Sequence, residues 1–471
     1  MYNLFKFAIS PALIQNWLKR RAKSIVLFAI IFRLFAGFLY GTQDVEWWKA
    51  WIFSIEQKGF VNLYGKSDAE NMKLIKQGKS FEEVRKETQN LILFKPYKYT
   101  RTEYIVPQPP VYLYHIYVAG KIYKLVDPSL TNNRLYNFFL NFFPILYSIL
   151  TCIVIYNFLK STQYSYLALS SSLLYLLNPL IILNSPIQGF WDPILGFYIL
   201  LSLISLYKKK LTLSFIFLVI ALLIKPTAII VIPIYLFFVI RENKFMKIIK
   251  SSLITLIISL ILISPFIYTN HFISMVLGVQ SILFSSNDIS RQSLNIWWPL
   301  QYYLNFYISN THTFIDFLLG NNFIWYNDFP VANVSSINLR VISFFLYFSA
   351  TILNFYNASK YISKNRFYIF YFSFIQCYIY FMLRIGVQNN HYYIMIIFFS
   401  IFCFISKELF YFFLYLIFLF FVQDFIFYGF GRDFSIMYKV LNFLHLPFIT
   451  VIISIINLVF FVKILYKPVR I

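Results

Sequence analysis

Two carboxylates, Asp44 and Glu46, stand directly after the first long apolar run, in the stretch Gly41-Thr42-Gln43-Asp44-Val45-Glu46-Trp47-Trp48-Lys49-Ala50-Trp51. An acid placed where the chain leaves a bilayer is suited to take a proton from a hydroxyl of a lipid-borne substrate. Asp44 is the first choice for such a base. Glu46 is the second choice or an orienting partner, because residues two apart on a helix do not share a face. Trp47, Trp48, Trp51, Ile52 and Ile55 recur at helical spacing, with Lys49, Glu56 and Lys58 as their polar counterpart, which predicts a helix lying in the membrane interface. The plainer alternative makes Asp44 a helix cap and the tryptophans an aromatic belt.

Polar residues at membrane depth are costly, so each interruption of an apolar run is a further candidate. Asn184-Ser185-Pro186-Ile187-Gln188-Gly189-Phe190-Trp191-Asp192-Pro193 joins two runs and carries Gln188 and Asp192, either as site residues or as a turn with Asp192 capping the next helix. Lys225, in Leu222-Leu223-Ile224-Lys225-Pro226, is a cation for an anionic headgroup or a lysine snorkelling at a proline break. Arg384-Ile385-Gly386-Val387-Gln388-Asn389-Asn390-His391 groups more hydrogen-bonding side chains than a plain connection needs.

The elements that must position these residues are membrane helices. The chain is 59% hydrophobic and only 13% charged, with repeated apolar runs of about 18 or more residues. No alternating barrel pattern occurs, so the fold class is an all-α, polytopic integral membrane protein. The net charge of +23 comes from lysines and arginines at the ends of apolar runs. That distribution fits orientation signals and headgroup contacts rather than nucleic acid binding. Cys152, Cys377 and Cys403 all lie in apolar runs, and neither they nor the five histidines have metal-binding or disulfide spacing.

The first span is expected at 24–40, after the basic cluster 19–23, which puts the N-terminus in the cytoplasm and retains the segment as an anchor. An external loop, 41–107, carries amphipathic helices including 67–90. Pro107-Gln108-Pro109-Pro110 stiffens re-entry into 111–126. Further runs cover 136–158, 164–183, 194–207, 211–224, 227–240 and 251–268. After a second external loop at 271–339 come 341–355, 367–383, 392–405, 409–427 and 448–465. The expectation is roughly 12–13 transmembrane helices in one domain: a core module 1–270, the second loop, and C-terminal helices 340–471. The basic clusters 208–210 and 241–250 put 186–192 outside, whereas counting spans from an external Asp44 puts it inside. One run between 109 and 183 therefore does not cross fully, or hides a crossing.

In order along the chain, these features resemble the GT-C superfamily of polytopic glycosyltransferases, which use a lipid-phosphate-linked sugar as donor. The matching stretches are Asp44 and Glu46 after the first span, Pro109-Pro110-Val111-Tyr112-Leu113-Tyr114, and Gln188 to Asp192. Lys225-Pro226 and Ser293-Leu294-Asn295-Ile296-Trp297-Trp298 complete the series. Asn390-His391 is similar to the C-terminal His-Glu element of dolichyl-phosphate-glucose glucosyltransferases and their mannosyltransferase relatives. Tyr392 stands where that element has Glu, and Trp297-Trp298 lacks the Asp-Tyr-Gly of oligosaccharyltransferases, which argues against transfer to protein asparagine.

The resemblance implies inverting transfer of mannose or glucose from a dolichyl- or polyprenyl-phosphate to a lipid-linked glycan or glycolipid on the external or luminal face. It implies residence in the cell membrane, or the endoplasmic reticulum membrane of a eukaryote. His391, Arg384, Lys225 and Arg291 are candidates for the departing phosphate. Gln188, Asp192, Asn295 and Asn390 are candidates for other substrate contacts, and Tyr112 and Tyr114 for the groove or for lipid-facing packing. No metal site is assigned, because Asp44 and Glu46 supply too few ligands. The rival class is a transporter or flippase of lipid-linked sugars, which calls for internal repeats and ionisable residues paired within spans. A non-catalytic membrane scaffold leaves Gln188, Lys225 and Asn390 unexplained.

Overall fold

The computed structural model describes residues 10–39, 41–79, 83, 106, 108–130, 133–284, 289–290, 292–308, 338–429, 447–466 and 468. Arg291, the stretch 285–288, Pro107 and most of 80–105 lie outside the described residues. The described part is helical throughout, as lipid requires of a chain that must satisfy its own backbone. The first half comprises α1 (Pro11–Arg20), α2 (Ala22–Ala36), α3 (Gln43–Lys58), α4 (Asp68–Lys76), α5 (Pro110–Val126), α6 (Asn133–Lys160), α7 (Ala168–Leu177), α8 (Pro179–Ile182), α9 (Asp192–Tyr207) and α10 (Leu211–Ile224). The second half comprises α11 (Ile232–Glu242), α12 (Phe245–Tyr268), α13 (Phe272–Phe284), α14 (Trp298–Ile308), α15 (Leu339–Tyr361), α16 (Tyr368–Leu383), α17 (Tyr392–Phe402), α18 (Lys407–Tyr428) and α19 (Ile449–Tyr466).

Among the described residues, α6, α12, α15, α18 and α19 are long and apolar enough to cross a membrane. A sixth crossing results if the stretch through α7 and the bent continuation from α8 to Ile187 count as one span, with a bend of 46°. That is fewer than the 12–13 full spans expected. The run 164–183 is broken at Asn178-Pro179, and several other runs form helices of only 10–17 residues. The helices α9, α10, α16 and α17 are apolar but shorter. The expected first span is only the 15-residue α2, which ends at Gly37.

The apolar face of the tryptophan helix packs on protein rather than standing open to lipid. Trp48, Trp51, Ile52 and Ile55 of α3 are buried in the protein core. A Cβ at Gly120 of α5 would stand 2.5 Å from Ile52, so the two helices touch closely. Glu56 holds Lys121 at 2.9 Å and also pairs with Lys124. Lys49, expected on the polar face, is fully buried and pairs with Glu46 at 3.1 Å.

The helix α5 bears on the orientation conflict. It pairs antiparallel with the start of α6, with Tyr123 stacked on Tyr136 at 4.3 Å and His115 3.0 Å from the Tyr147 hydroxyl. It is not among the helices long and apolar enough to cross. The Thr42 N–H donates to the Gln188 carbonyl at 2.9 Å, so the Asp44 segment and the 186–192 turn share one end of the molecule, as the basic clusters require.

Of the helix expected at 67–90, the described part is α4, closed at its start by a Ser67–Glu70 capping box. It docks on α13: the Asp68 carboxylate accepts from the Phe272 and Ile273 N–H groups at 3.0 and 2.7 Å, and Asn71 donates to Ser274 Oγ at 2.6 Å. The described starts of the first and second loops are thereby joined. A Cβ at Gly278 of α13 would meet the Val106 carbonyl oxygen at 2.6 Å. Gly278→Ala should therefore cost about 1–3 kcal/mol and lower the thermal unfolding midpoint in detergent. An unchanged midpoint would contradict this close approach.

Candidate functional site

The site is built on a break. After α7, Asn178 accepts the Leu180 N–H at 3.0 Å and starts α8, with Pro179 in its first turn. The chain then widens into a π turn, Leu183–Ile187, with Pro186 inside it. It reverses at Gly189, whose φ of +77° suits glycine and whose Cβ would stand 2.7 Å from Asn141 Oδ1. Asp192 then opens α9 as its first residue, one position past the cap.

The Asp192 carboxylate is not spent on capping. Lys225 Nζ donates to Oδ1 at 2.6 Å, and the amides of Asn390 and Asn184 donate to Oδ2 at 3.1 and 3.4 Å. Lys225 occupies the gap between α10 and the 3₁₀ turn Pro226–Val231, in extended backbone as the residue before proline prefers. Its side chain is 15% exposed and that of Asp192 4%, so the lysine neither snorkels to water nor stands as a lone cation. With three donors converging on it, the carboxylate holds the ammonium in place.

The Thr42–Gln188 backbone bond and the Trp48–Trp191 contact bring the half-buried Asp44 to the same end as this group. Asp44 and Asp192 both act electrostatically on the phenol of Tyr112. The Tyr112 ring lies 4.6 Å from Trp191 and 6.2 Å from Trp48, and those two indoles are 5.4 Å apart, forming an aromatic wall. Glu46 is turned instead to Lys49. Gln188 donates to the Gly429 carbonyl at 3.2 Å, just past α18.

Other candidates are placed differently. Tyr114 donates to the Leu262 carbonyl at 2.8 Å, away from that wall. Asn295 is fully buried and donates to the carbonyls of Phe381 and Arg384 at 3.1 and 3.3 Å, while its own oxygen accepts from the Trp297 N–H at 3.0 Å. These bonds make it a tie between the second loop and the end of α16. Ser293 and Trp297 add bonds to Val387 and Leu383 at 2.6 and 2.9 Å. Arg384 lies over the Tyr347 ring at 6.0 Å. His391 has its ring 5.9 Å from Tyr380 and follows the Asn390 that binds Asp192.

Sequence reasoning passed over three residues that the fold brings in. Asp424, fully buried in α18, accepts from the Tyr392 hydroxyl at 3.0 Å. Asn184, in the π turn, donates to the Asp192 carboxylate. Arg33, fully buried in α2, donates to the Leu176 carbonyl at 2.5 Å, where the end of α7 exposes helix carbonyls. Two of the three were detectable as ionisable residues inside apolar runs.

Among the described residues, fold and site define a helical protein with helices long and apolar enough to cross a membrane and a polar, aromatic-walled site at one end of them. No family model and no curated protein matches the chain. Among the described residues, no three acidic, histidine or cysteine side chains group closely enough to hold a metal ion.

Lys225→Met should strand Asp192 and cost about 3–5 kcal/mol. Adding Asp192→Asn should recover part of that loss. Unfolding of the two single variants and the double variant in detergent measures the coupling, and strict additivity would contradict the pair.

Proposed function

We propose that this protein is a membrane glycosyltransferase of GT-C type, transferring a hexose, mannose or glucose, from a polyprenyl- or dolichyl-phosphate to a lipid-linked acceptor. The observation that carries the proposal is the convergence of Asp44 and the Asp192–Lys225 pair beside Tyr112, Trp48 and Trp191, from segments far apart in the chain. Depth supports it as well. The 16 residues of α9 and 14 of α10 rise only about 24 and 21 Å, short of a hydrocarbon core of about 30 Å. Asp192 and Lys225 at their shared end are then recessed toward lipid, where a lipid-borne phosphate would arrive.

In this mechanism Asp44 takes the proton of the acceptor hydroxyl. The acceptor oxygen bonds to the anomeric carbon from the face opposite the donor phosphate, so the configuration inverts. The anomeric carbon–oxygen bond breaks, and its electron pair leaves with the lipid phosphate. Lys225, oriented by Asp192, Asn184 and Asn390, faces the growing charge, with His391 at the same end of α17. The aromatic wall offers flat apolar surface to the sugar ring. Arg291 remains a candidate for phosphate on the resemblance alone.

One observation favours a second class, a transporter of lipid-linked sugars. The span that bends by 46°, with buried Arg33, Asp192 and Asp424 and the partly buried Lys225 near its break, has features of transporter sites. The two are separated by offering synthetic glucosyl and mannosyl lipid phosphates, with lipid-linked acceptors, to purified protein and reading products by mass spectrometry. A new glycosidic product, lost in Asp44→Asn at unchanged expression, is the expected outcome. Turnover retained in that variant removes Asp44 as base. Movement of intact lipid-linked sugar across vesicles without product supports the transporter.

A further inference from the structure

At the end opposite the site, four turns hold eleven lysines and arginines against one acid, Glu242: residues 157–168, 205–214, 240–251 and 357–369. The fold fastens these turns to one another. Asn365 donates to the Tyr164 hydroxyl at 2.8 Å, and Arg366 to the Leu206 carbonyl at 2.7 Å. Arg241 donates to the Ser359 carbonyl at 3.0 Å, and Lys247 to the Lys209 carbonyl at 3.4 Å. Glu242 is paired with Arg366, so the acid in these turns is already neutralised.

Lys208, Lys209, Lys210, Lys244 and Lys250 are exposed on this face. Beside them, at the start of α12, Phe245 and Met246 are 74% and 73% exposed. The outward side of α12 continues with exposed Leu253, Leu256, Ile257 and Leu260. Fixed cations next to an exposed apolar strip are complementary to a molecule that is anionic at one end and apolar along its length. A soluble polyanion or a nucleic acid would leave Phe245 and Met246 in water, whereas a phospholipid covers both features.

We propose that this face is a binding site for an anionic phospholipid of the adjoining leaflet. Its headgroup lies between the 205–214 and 240–251 turns, and its acyl chains run along the start of α12. The site is separate from the proposed transferase centre, and its test does not depend on sugar transfer.

The test uses full-length protein purified into neutral phosphatidylcholine nanodiscs. Phosphatidylglycerol or phosphatidylcholine of matched chains is added, and retained lipid is counted by native mass spectrometry. Retention of phosphatidylglycerol should exceed that of phosphatidylcholine and fall as salt is raised. The double variant Lys209→Gln/Lys244→Gln should weaken it about fivefold for each lysine removed. Phe245→Ser should weaken it without changing its salt dependence. Equal retention of both lipids by the wild-type protein, or undiminished retention in a double variant whose unfolding midpoint is unchanged, overturns the proposal. Displacement of the phospholipid by inositol hexakisphosphate or transfer RNA at equal charge overturns it in favour of a soluble polyanion. Should the double variant fail to fold, the salt dependence of wild-type selectivity decides: a preference unaffected by salt overturns the proposal.

Discussion

A lysine ammonium and an aspartate carboxylate held 2.6 Å apart in apolar surroundings constrain everything near them. Each charge taken out of water costs several kcal/mol unless its hydrogen-bonding capacity is met, and neighbouring segments meet it here. Asp192 belongs to the start of α9, Lys225 to the end of α10, Asn184 to the π turn, and Asn390 to the turn before α17. One carboxylate therefore sets the level at which four segments end. The ends of the 16-residue α9 and the 14-residue α10 meet at this pair.

The break after α7 is the second constraint. A helix that stops within apolar surroundings leaves carbonyls without partners. Arg33 reaches one of them from α2, and a cation suits the negative end of a helix. Nearby, the hydroxyls of Tyr175 and Tyr393 lie 2.8 Å apart and join α7 to α17. The second loop is secured in the same manner: Leu294 N–H donates to Gln423 at 3.0 Å, Asn457 donates to the Leu294 carbonyl at 3.1 Å, and Trp298 donates to Thr450 at 2.8 Å. Several buried polar side chains thus satisfy irregular backbone, and the site adjoins such backbone at the π turn.

Much of the helical layout was legible in the chain. The runs at 136–158, 251–268, 409–427 and 448–465 correspond to α6, α12, α18 and α19 within a few residues, because length and apolarity suffice to mark such helices. The interruptions at Gln188, Asp192, Lys225 and Asn390 were recognised as unusual, and the fold brings them to one end. Asn295 was recognised too, yet its bonds go to backbone carbonyls, a use that residue type alone does not announce. Asp424 and Arg33 were hidden inside runs counted as plain spans.

The amino-acid sequence by itself determined an all-helical membrane class and the positions where polar groups interrupt it. Both follow from local composition, since lipid leaves a backbone few ways to satisfy its hydrogen bonds. Tertiary structure alone decided that Trp48 and Trp51 face protein, that Lys49 pairs with Glu46, that Lys225 pairs with Asp192, and that α5 lies beside α3 and α6. Periodicity reveals which side of a helix is apolar, but lipid and protein interior are equally apolar, so it cannot say which one covers that side. The partner of a buried charge is likewise set by distance in space, and Asp192 and Lys225 meet only after two helices have packed.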